Sequence, residues 1–288
     1  MPTPETVLSP ALLRAWPLPE RSGSKDERGR VLVVGGARRT PGAVLLTGLA
    51  ALRVGAGRLT LAAAGSVAVP LAVAVPEAGV IGLPERSDGS LTGEGAGLLA
   101  AELDRADVVV VGPGLDEPTG TTTLLTEVLP RVGTRTAVLL DAFALGVLAD
   151  LADLAAPLAD RLVLTPNLAE AGRLLGRAEV DPDVAAVQVA HRYGAVAVCA
   201  GKVAAPDGRR WASATGSSGL GTSGSGDVLA GAIAGVLAGG ADPAHAACWG
   251  LSLHGTAGDR LAARIGPLGY LARELVDELP AVLVELRA

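Results

Sequence analysis

The chain has 288 residues, of which 49% are apolar and only 2% aromatic, so its core has to be built from Ala, Val and Leu. A formal charge of -6 with no long Lys/Arg run leaves no electrostatic footprint for nucleic acid. Two cysteines, Cys199 and Cys248, lack the number and spacing of a zinc or redox motif and fit a reducing cytosol as small buried hydrophobes.

The first residues carry Glu5 and several prolines but no basic-then-apolar signal region, and the apolar stretch Leu59 to Pro76 is broken by Gly65, Ser66 and Pro70. A soluble, cytoplasmic protein without a membrane partner is expected. Residues 1–29 are polar and proline-rich apart from Ala11-Leu12-Leu13, which predicts an N-terminal arm laid across a single catalytic domain at 30–288. Val31-Leu32-Val33-Val34 is a continuous apolar run ending in Gly35-Gly36, the pattern of a strand buried on both faces that runs into a turn. A helix follows from Gly42-Ala43 to about Val54. Arg58 to Ala62 and Ala78 to Leu83 read as further strands, and Glu94 to about Asp104 as a helix.

The strand Asp107 to Val111 then feeds Gly112-Pro113-Gly114-Leu115, repeating the order of strand, glycine turn and helix. Thr136 to Leu140 delivers Asp141 to a strand end. Arg161 to Leu164 delivers Thr165-Pro166-Asn167-Leu168-Ala169-Glu170, and Ala195 to Cys199 ends in Ala200-Gly201. This alternation, with no linker between halves, predicts one three-layer α/β/α domain with a mostly parallel sheet. In such sheets a site forms beyond the C-terminal ends of the strands, where each of these polar groups falls.

Common nucleotide motifs are absent: no Gly-x-x-x-x-Gly-Lys-Ser/Thr loop occurs, and Gly35-Gly36 lacks the Gly-x-Gly-x-x-Gly spacing. His191, His245 and His254 are scattered along helical stretches and read as surface or satisfied interior side chains. Gly224-Ser225-Gly226 has only a superficial likeness to a nucleophile elbow, with no His/Asp pair placed to serve it.

The chemistry concentrates between Thr215 and Gly231. Five glycines from Gly216 to Gly226 allow positive φ angles and bare backbone, so that several N–H groups can converge on an anion. The apolar run Val228 to Ala238 predicts a buried helix, which puts the loop at a helix N-terminus, a phosphate-binding geometry. Asp227 stands at the junction, either as a base acting on a hydroxyl beside the phosphate or as an ordinary helix cap.

Gly224-Ser225-Gly226-Asp227 followed by Val228-Leu229-Ala230-Gly231 resembles the anion-hole and base motif of ribokinase-like enzymes. Over a longer span the chain resembles the ADP-dependent NAD(P)H-hydrate dehydratases. The matching features are Lys25 with Gly29 to Gly36, Gly42-Ala43, Ala51 to Gly57, Val111 to Leu115, Leu140-Asp141-Ala142, Thr165-Pro166 with Glu170, and Thr215 to Gly231. The resemblance implies a ribokinase-like fold and an enzyme that repairs hydrated NADH and NADPH. ADP phosphorylates the C6 hydroxyl of the hydrated ring, and loss of phosphate restores the double bond.

By the same resemblance Asp227 is the catalytic base. Ala43, Gly112, Gly114, Asn167 and Asp227 border the substrate, and Ala200, Gly201, Lys202, Gly224, Ser225 and Gly226 border the nucleotide. Asp141 positions metal or substrate, and Glu170 meets Mg²⁺ through water. A homo-oligomer, in bacterial relatives a tetramer, and a separate NAD(P)H-hydrate epimerase as functional partner are also implied. Three places depart from the family pattern: Asn167-Leu168-Ala169-Glu170 replaces His-Pro-Gly-Glu, Ala200-Gly201 and Ala204 replace a Lys-Gly and a following Thr, and Ser217-Ser218 replaces Asn-Pro. Asn167 with Glu170 instead resembles the Asn-x-x-Glu of ribokinase-like sugar and vitamin kinases. A small-molecule kinase is therefore the alternative, and a nucleotide-binding protein without turnover is a third.

Overall fold

The computed structural model describes residues 4–20 and 23–288. Ten strands form one sheet: β1 (Thr6–Leu8), β2 (Arg30–Val34), β3 (Arg58–Ala64), β4 (Ala78–Leu83), β5 (Val108–Val111), β6 (Ala137–Leu140), β7 (Leu162–Leu164), β8 (Val196–Cys199), β9 (Lys202–Ala204) and β10 (Arg210–Ser213). Their order is β1-β10-β9-β8-β7-β6-β5-β2-β3-β4. Pairing is parallel from β4 across to β8, antiparallel at β8-β9 and β9-β10, and parallel again at β10-β1.

The unbroken valine and leucine runs have the composition needed between two helical layers, because successive side chains point to opposite faces. Val31, Val33, Val108 and Val110 belong to one apolar core, with the helices Pro41–Arg53, Ser225–Ala238, Pro243–Arg264 and Ala272–Arg287. Leu32, Val34, Val109 and Val111 belong to the other, with Ala96–Leu103, Pro118–Val128, Phe143–Leu148, Leu168–Leu175 and Ala185–Tyr193. This is a three-layer α/β/α fold with a mostly parallel sheet.

With few aromatic side chains to fill space, the first core closes by bringing backbones together. A Cβ on Gly231 would lie 2.2 Å from the Thr47 carbonyl oxygen, and one on Gly235 would lie 2.6 Å from that of Ala51. Helix Ser225–Ala238 is thereby pressed onto helix Pro41–Arg53, and its N-terminus is held at the C-terminal end of the parallel strands.

Within the segment 1–29, described apart from residues 1–3 and 21–22, β1 adds to the sheet edge beside β10. Helix Pro10–Ala15 follows, with Ser9 Oγ accepting from the Leu12 N–H at 3.2 Å. Trp16 stacks on His245 at 4.3 Å and on Trp211 at 5.8 Å. Its carbonyl accepts a hydrogen bond from the Trp249 indole at 3.0 Å and pairs with His245 Nε2 at 2.9 Å. No helix of the described residues is long and apolar enough to cross a membrane.

Strands β8 and β9 pair antiparallel, with Cys199 opposite Lys202, so Ala200-Gly201 is their two-residue turn. Both residues have positive φ, 49° and 75°, the signature of a type I′ turn, where Asn-Gly is favoured and alanine is strained. Ala200→Asn should stabilise the protein by about 0.5–1 kcal/mol. Urea denaturation checks this as a raised midpoint at unchanged slope; a lowered midpoint would contradict the turn assignment.

Candidate active site

The turns after β2 and β5 lock together through backbone. The Gly36 N–H donates to the Pro113 carbonyl at 2.8 Å, the Ala37 N–H to that of Gly114 at 2.8 Å, and Thr40 Oγ1 to the same Gly114 carbonyl at 2.7 Å. A Cβ on Gly114 would meet the Thr40 oxygen at 2.4 Å and the Ala43 methyl at 3.0 Å, and one on Gly112 would meet the Asp141 carbonyl at 1.8 Å. Ala43, Gly112, Gly114 and Asp141 therefore form one continuous wall, closed tightly enough to exclude side chains at both glycines.

Asp141 stands at the end of β6, buried, and accepts from Thr165 Oγ1 at 2.7 Å. Burial pushes its carboxyl up to about 8, with the negative charges of Asp227 and Glu170 adding to the effect and the Thr165 bond opposing it. The next residue, Ala142, has φ 51° and ψ −122°, a conformation that strains any residue with a Cβ. The chain is thus held out of its preferred geometry beside the carboxylates.

The glycine loop ends at Gly224, whose φ of 88° lets helix Ser225–Ala238 start abruptly. Gly226 is exposed and Asp227 half-buried. The N–H groups of Gly226 and Asp227 have no backbone partner among the described residues, so this end of the helix presents bare donors and the positive end of its dipole. The Asp227 carboxyl is pushed up to about 6 by loss of water. Asp141 feels the charge of both Asp227 and Glu170, so both acids lie within its electrostatic reach.

Asn167 and Glu170 have a local role. Asn167 caps helix Leu168–Leu175, its Oδ1 accepting from the Glu170 N–H at 2.9 Å, while Glu170 Oε2 accepts from the Asn167 N–H at 2.9 Å. This reciprocal pair is a capping box. The Asn-x-x-Glu spacing thus starts this helix. Glu170 is half-buried, and loss of water raises its carboxyl above the usual range, with the Asn167 N–H opposing the shift.

The positions expected to meet the nucleotide separate into two groups. Gly224, Ser225 and Gly226 form the helix entry, whereas Ala200, Gly201 and Lys202 lie at the β8-β9 turn, at the same end of the sheet. The Lys202 ammonium is already paired with Asp183 at 3.0 Å and Glu5 at 3.2 Å. The Ser225 side chain turns inward to His254, with Oγ 2.9 Å from Nε2. Burial holds the His254 imidazole neutral by lowering it to about 4. The sequence alone singles out neither His254 nor Asp259 as a partner of the loop. The signal that points to them is Gly255 and Gly258, two glycines inside a long helix where only a close neighbour accounts for them.

Beside Glu170 lies a cleft of about 410 Å³ walled by Leu115, Phe143, Val147 and Arg173. A polar cleft of about 310 Å³ around Arg30, Arg58 and Glu102 lies at the opposite end of the strands, away from the carboxylates.

Residues 31–281 match the family model described as NAD(P)H-hydrate dehydratase. The chain is 44% identical over 287 residues to an ADP-dependent (S)-NAD(P)H-hydrate dehydratase of Xanthomonas campestris pv. campestris, covering 97% of this chain and 96% of that one. It is 38% identical to a bifunctional NAD(P)H-hydrate repair enzyme of Moorella thermoacetica, covering 96% of this chain but 54% of that longer protein. Among solved structures it superposes on the ADP/ATP-dependent NAD(P)H-hydrate dehydratase of Bacillus subtilis, co-crystallised with ATP/Mg²⁺, with a TM-score of 0.79 and 28% identity over 98% of this chain and 99% of that one. With the fold, the strand-end glycine turns and the glycine loop in the matching order, the chain belongs to the NAD(P)H-hydrate dehydratase family.

Proposed function

We propose that this protein dehydrates hydrated NADH and NADPH with ADP as phosphoryl donor, yielding NAD(P)H, AMP and phosphate. The observation that carries the reading is Asp227, a desolvated carboxyl set at the bare N-terminus of a helix. Its family setting supplies the substrate: the Xanthomonas relative is named as an ADP-dependent dehydratase.

A ring hydroxyl is both a weak nucleophile and a poor leaving group, and phosphorylation solves the second problem once a base has solved the first. Asp227 takes the proton of the C6 hydroxyl as its oxygen attacks the β-phosphorus of ADP. The bond to the bridging oxygen breaks and AMP departs with the electron pair. The C6–O bond then breaks, phosphate leaves with its electrons assisted by the ring-nitrogen lone pair, and a proton lost from the neighbouring carbon restores the double bond. The N–H groups of Gly226 and Asp227 face the charge that develops on the transferred group, where preorganised donors contribute most.

The acids also suit Mg²⁺. Asp141, Asp227 and Glu170 offer the oxygen donors a hard cation prefers, and no three candidate ligands among the described residues are grouped closely enough to hold a metal alone. That fits a cation shared with phosphates and water, to which Glu170 would contribute through water. Bound there, Mg²⁺ would neutralise charge on the diphosphate.

In this reading Ala43, Gly112, Gly114 and Asn167 border the hydrated ring, and Ala200-Gly201 borders the nucleotide, with Lys202 fixing the turn through Glu5 and Asp183. The protein works in the cytoplasm as a homo-oligomer, a tetramer, with an NAD(P)H-hydrate epimerase activity as its functional partner. Helix Gly65–Ala74 supports assembly: it carries no charge and leaves Val69 and Val73 73% and 77% exposed.

Incubation with hydrated NADH, ADP and Mg²⁺ should regenerate the absorbance of reduced nicotinamide with equal amounts of AMP and phosphate. A stable phosphoester without phosphate release would identify a kinase instead. Asp227→Asn should lower turnover by about 10²- to 10⁴-fold with ADP affinity retained, as isothermal calorimetry would record; a parallel loss of ADP binding would assign Asp227 to capping. Because the base works ionised and burial pushes its carboxyl up to about 6, kcat/KM should climb as pH rises through about 6 and then level off. The residual rate of Asp227→Asn should lack that acidic limb.

A further inference from the structure

The glycine loop has two ends, and a single stripe of helix Pro243–Arg264 touches both. At the far end Ser225 Oγ and His254 Nε2 share a hydrogen bond of 2.9 Å, with the two residues 2% and 6% exposed. At the near end the Gly216 N–H donates to Asp259 Oδ2 at 3.0 Å. Between them the helix surface is cut away. A Cβ on Gly255 would lie 2.4 Å from Thr215 Oγ1, and one on Gly258 would lie 2.6 Å from Leu220 Cδ2. His254 and Gly258 are four residues apart, as are Gly255 and Asp259, so all four occupy adjacent rows of one helix face.

Inside the loop a few short-range bonds hold single turns, the Leu220 N–H donating to the Ser217 carbonyl at 3.0 Å, the Ser225 N–H to that of Thr222 at 3.2 Å and the Thr215 N–H to Ser213 Oγ at 3.1 Å, whereas the bonds to His254 and Asp259 tie its two ends to a neighbouring helix. Gly216 and Gly224 have φ of 103° and 88°, a conformation open to many alternatives when unrestrained. A cradle for a transferring phosphoryl group must be rigid before the substrate arrives, because donors displaced by even 1 Å lose much of their effect. The two side-chain bonds fix the loop at its entry and exit, and the two glycines allow it to lie flat against the helix.

We propose that His254 and Asp259 are positioning residues for the phosphate cradle: they clamp the two ends of the glycine loop, acting through Ser225 and Gly216 and touching neither substrate nor nucleotide. The inference rests on the nucleotide-binding role proposed for the loop. It assigns to the histidine a structural grip on the first turn of the Asp227 helix, in place of any part in proton transfer.

The test compares His254→Leu, His254→Gln, Asp259→Ala and Asp259→Asn with the parent protein. Gln and Asn retain a polar group that can reach the lost partner. Calorimetric ADP affinity should fall about tenfold in His254→Leu and Asp259→Ala, the size expected for one buried hydrogen bond, and recover substantially in Gln and Asn. The KM for hydrated NADH should stay within about twofold, since the substrate wall at Ala43, Gly112 and Gly114 is built elsewhere. Hydrogen exchange should accelerate in the amides of residues 215–227 and not in the strands. Ser225→Ala combined with His254→Leu should be no worse than either alone, as expected for two halves of one bond.

Unchanged ADP affinity and loop exchange in both truncations would overturn the proposal, as would equal losses for ADP and hydrated NADH without rescue. Should His254→Leu fail to fold, the half-exposed Asp259 pair gives the same reading from the other end. If the parent protein binds no ADP, the nucleotide assignment fails, and the clamp is then judged by loop exchange alone.

Discussion

Two opposing demands meet in the first turn of helix Ser225–Ala238. The N–H groups of Gly226 and Asp227 favour a negative charge there, yet the one negative side chain present is withheld from water until its ionisation moves to about pH 6. A carboxylate in that state can take a proton that a fully solvated Asp, with its lower basicity, would leave in place. The adjacent donors remain available for a phosphoryl group. Everything else about the domain serves to hold that turn where the strands end.

The scaffold does so by close backbone approach. Gly231 and Gly235 press the helix onto Thr47 and Ala51, Gly112 presses the β5 turn onto Asp141, and Gly114 presses it onto Thr40 and Ala43. A core with so few aromatic residues cannot fill space with large rings, so rigidity comes from these contacts and from continuous Val and Leu strands. The cost is concentrated at the site: Ala142 and Ala200 both take positive φ, and both follow strands that deliver residues to it.

Much of this was legible in the sequence, for identifiable reasons. Doubly buried strands leave continuous apolar runs, so β2, β3 and β5 to β8 could be read along with the turns that follow them, and the edge strand β4 could be read because Ala78 to Leu83 carries no polar side chain. β1, β9 and β10 could not, because three- or four-residue strands with Glu5, Lys202 and Arg210 at or beside them carry no such run. The glycine loop and Asp227 were readable because dense glycine with a lone acid before an apolar helix is what a phosphate cradle requires and what ordinary core packing rarely produces. Asn167 and Glu170 were ambiguous because a capping box and a kinase motif share the same spacing; the reciprocal hydrogen bonds establish the capping box. His254 was unreadable as a partner of Ser225, since 29 residues separate them and the pairing depends on how two helices cross.

In this mechanism the hydroxyl of the hydrated ring becomes a phosphate ester before it leaves. The most direct measurement places a heavy-oxygen label in the C6 hydroxyl of hydrated NADH and follows it by mass spectrometry during turnover with unlabelled ADP. The mechanism carried by Asp227 and the glycine loop predicts that the label appears in the released phosphate, one atom per NADH formed. Label recovered in water, with phosphate unlabelled, would mean that the hydroxyl departs directly and that the cradle serves some other reaction.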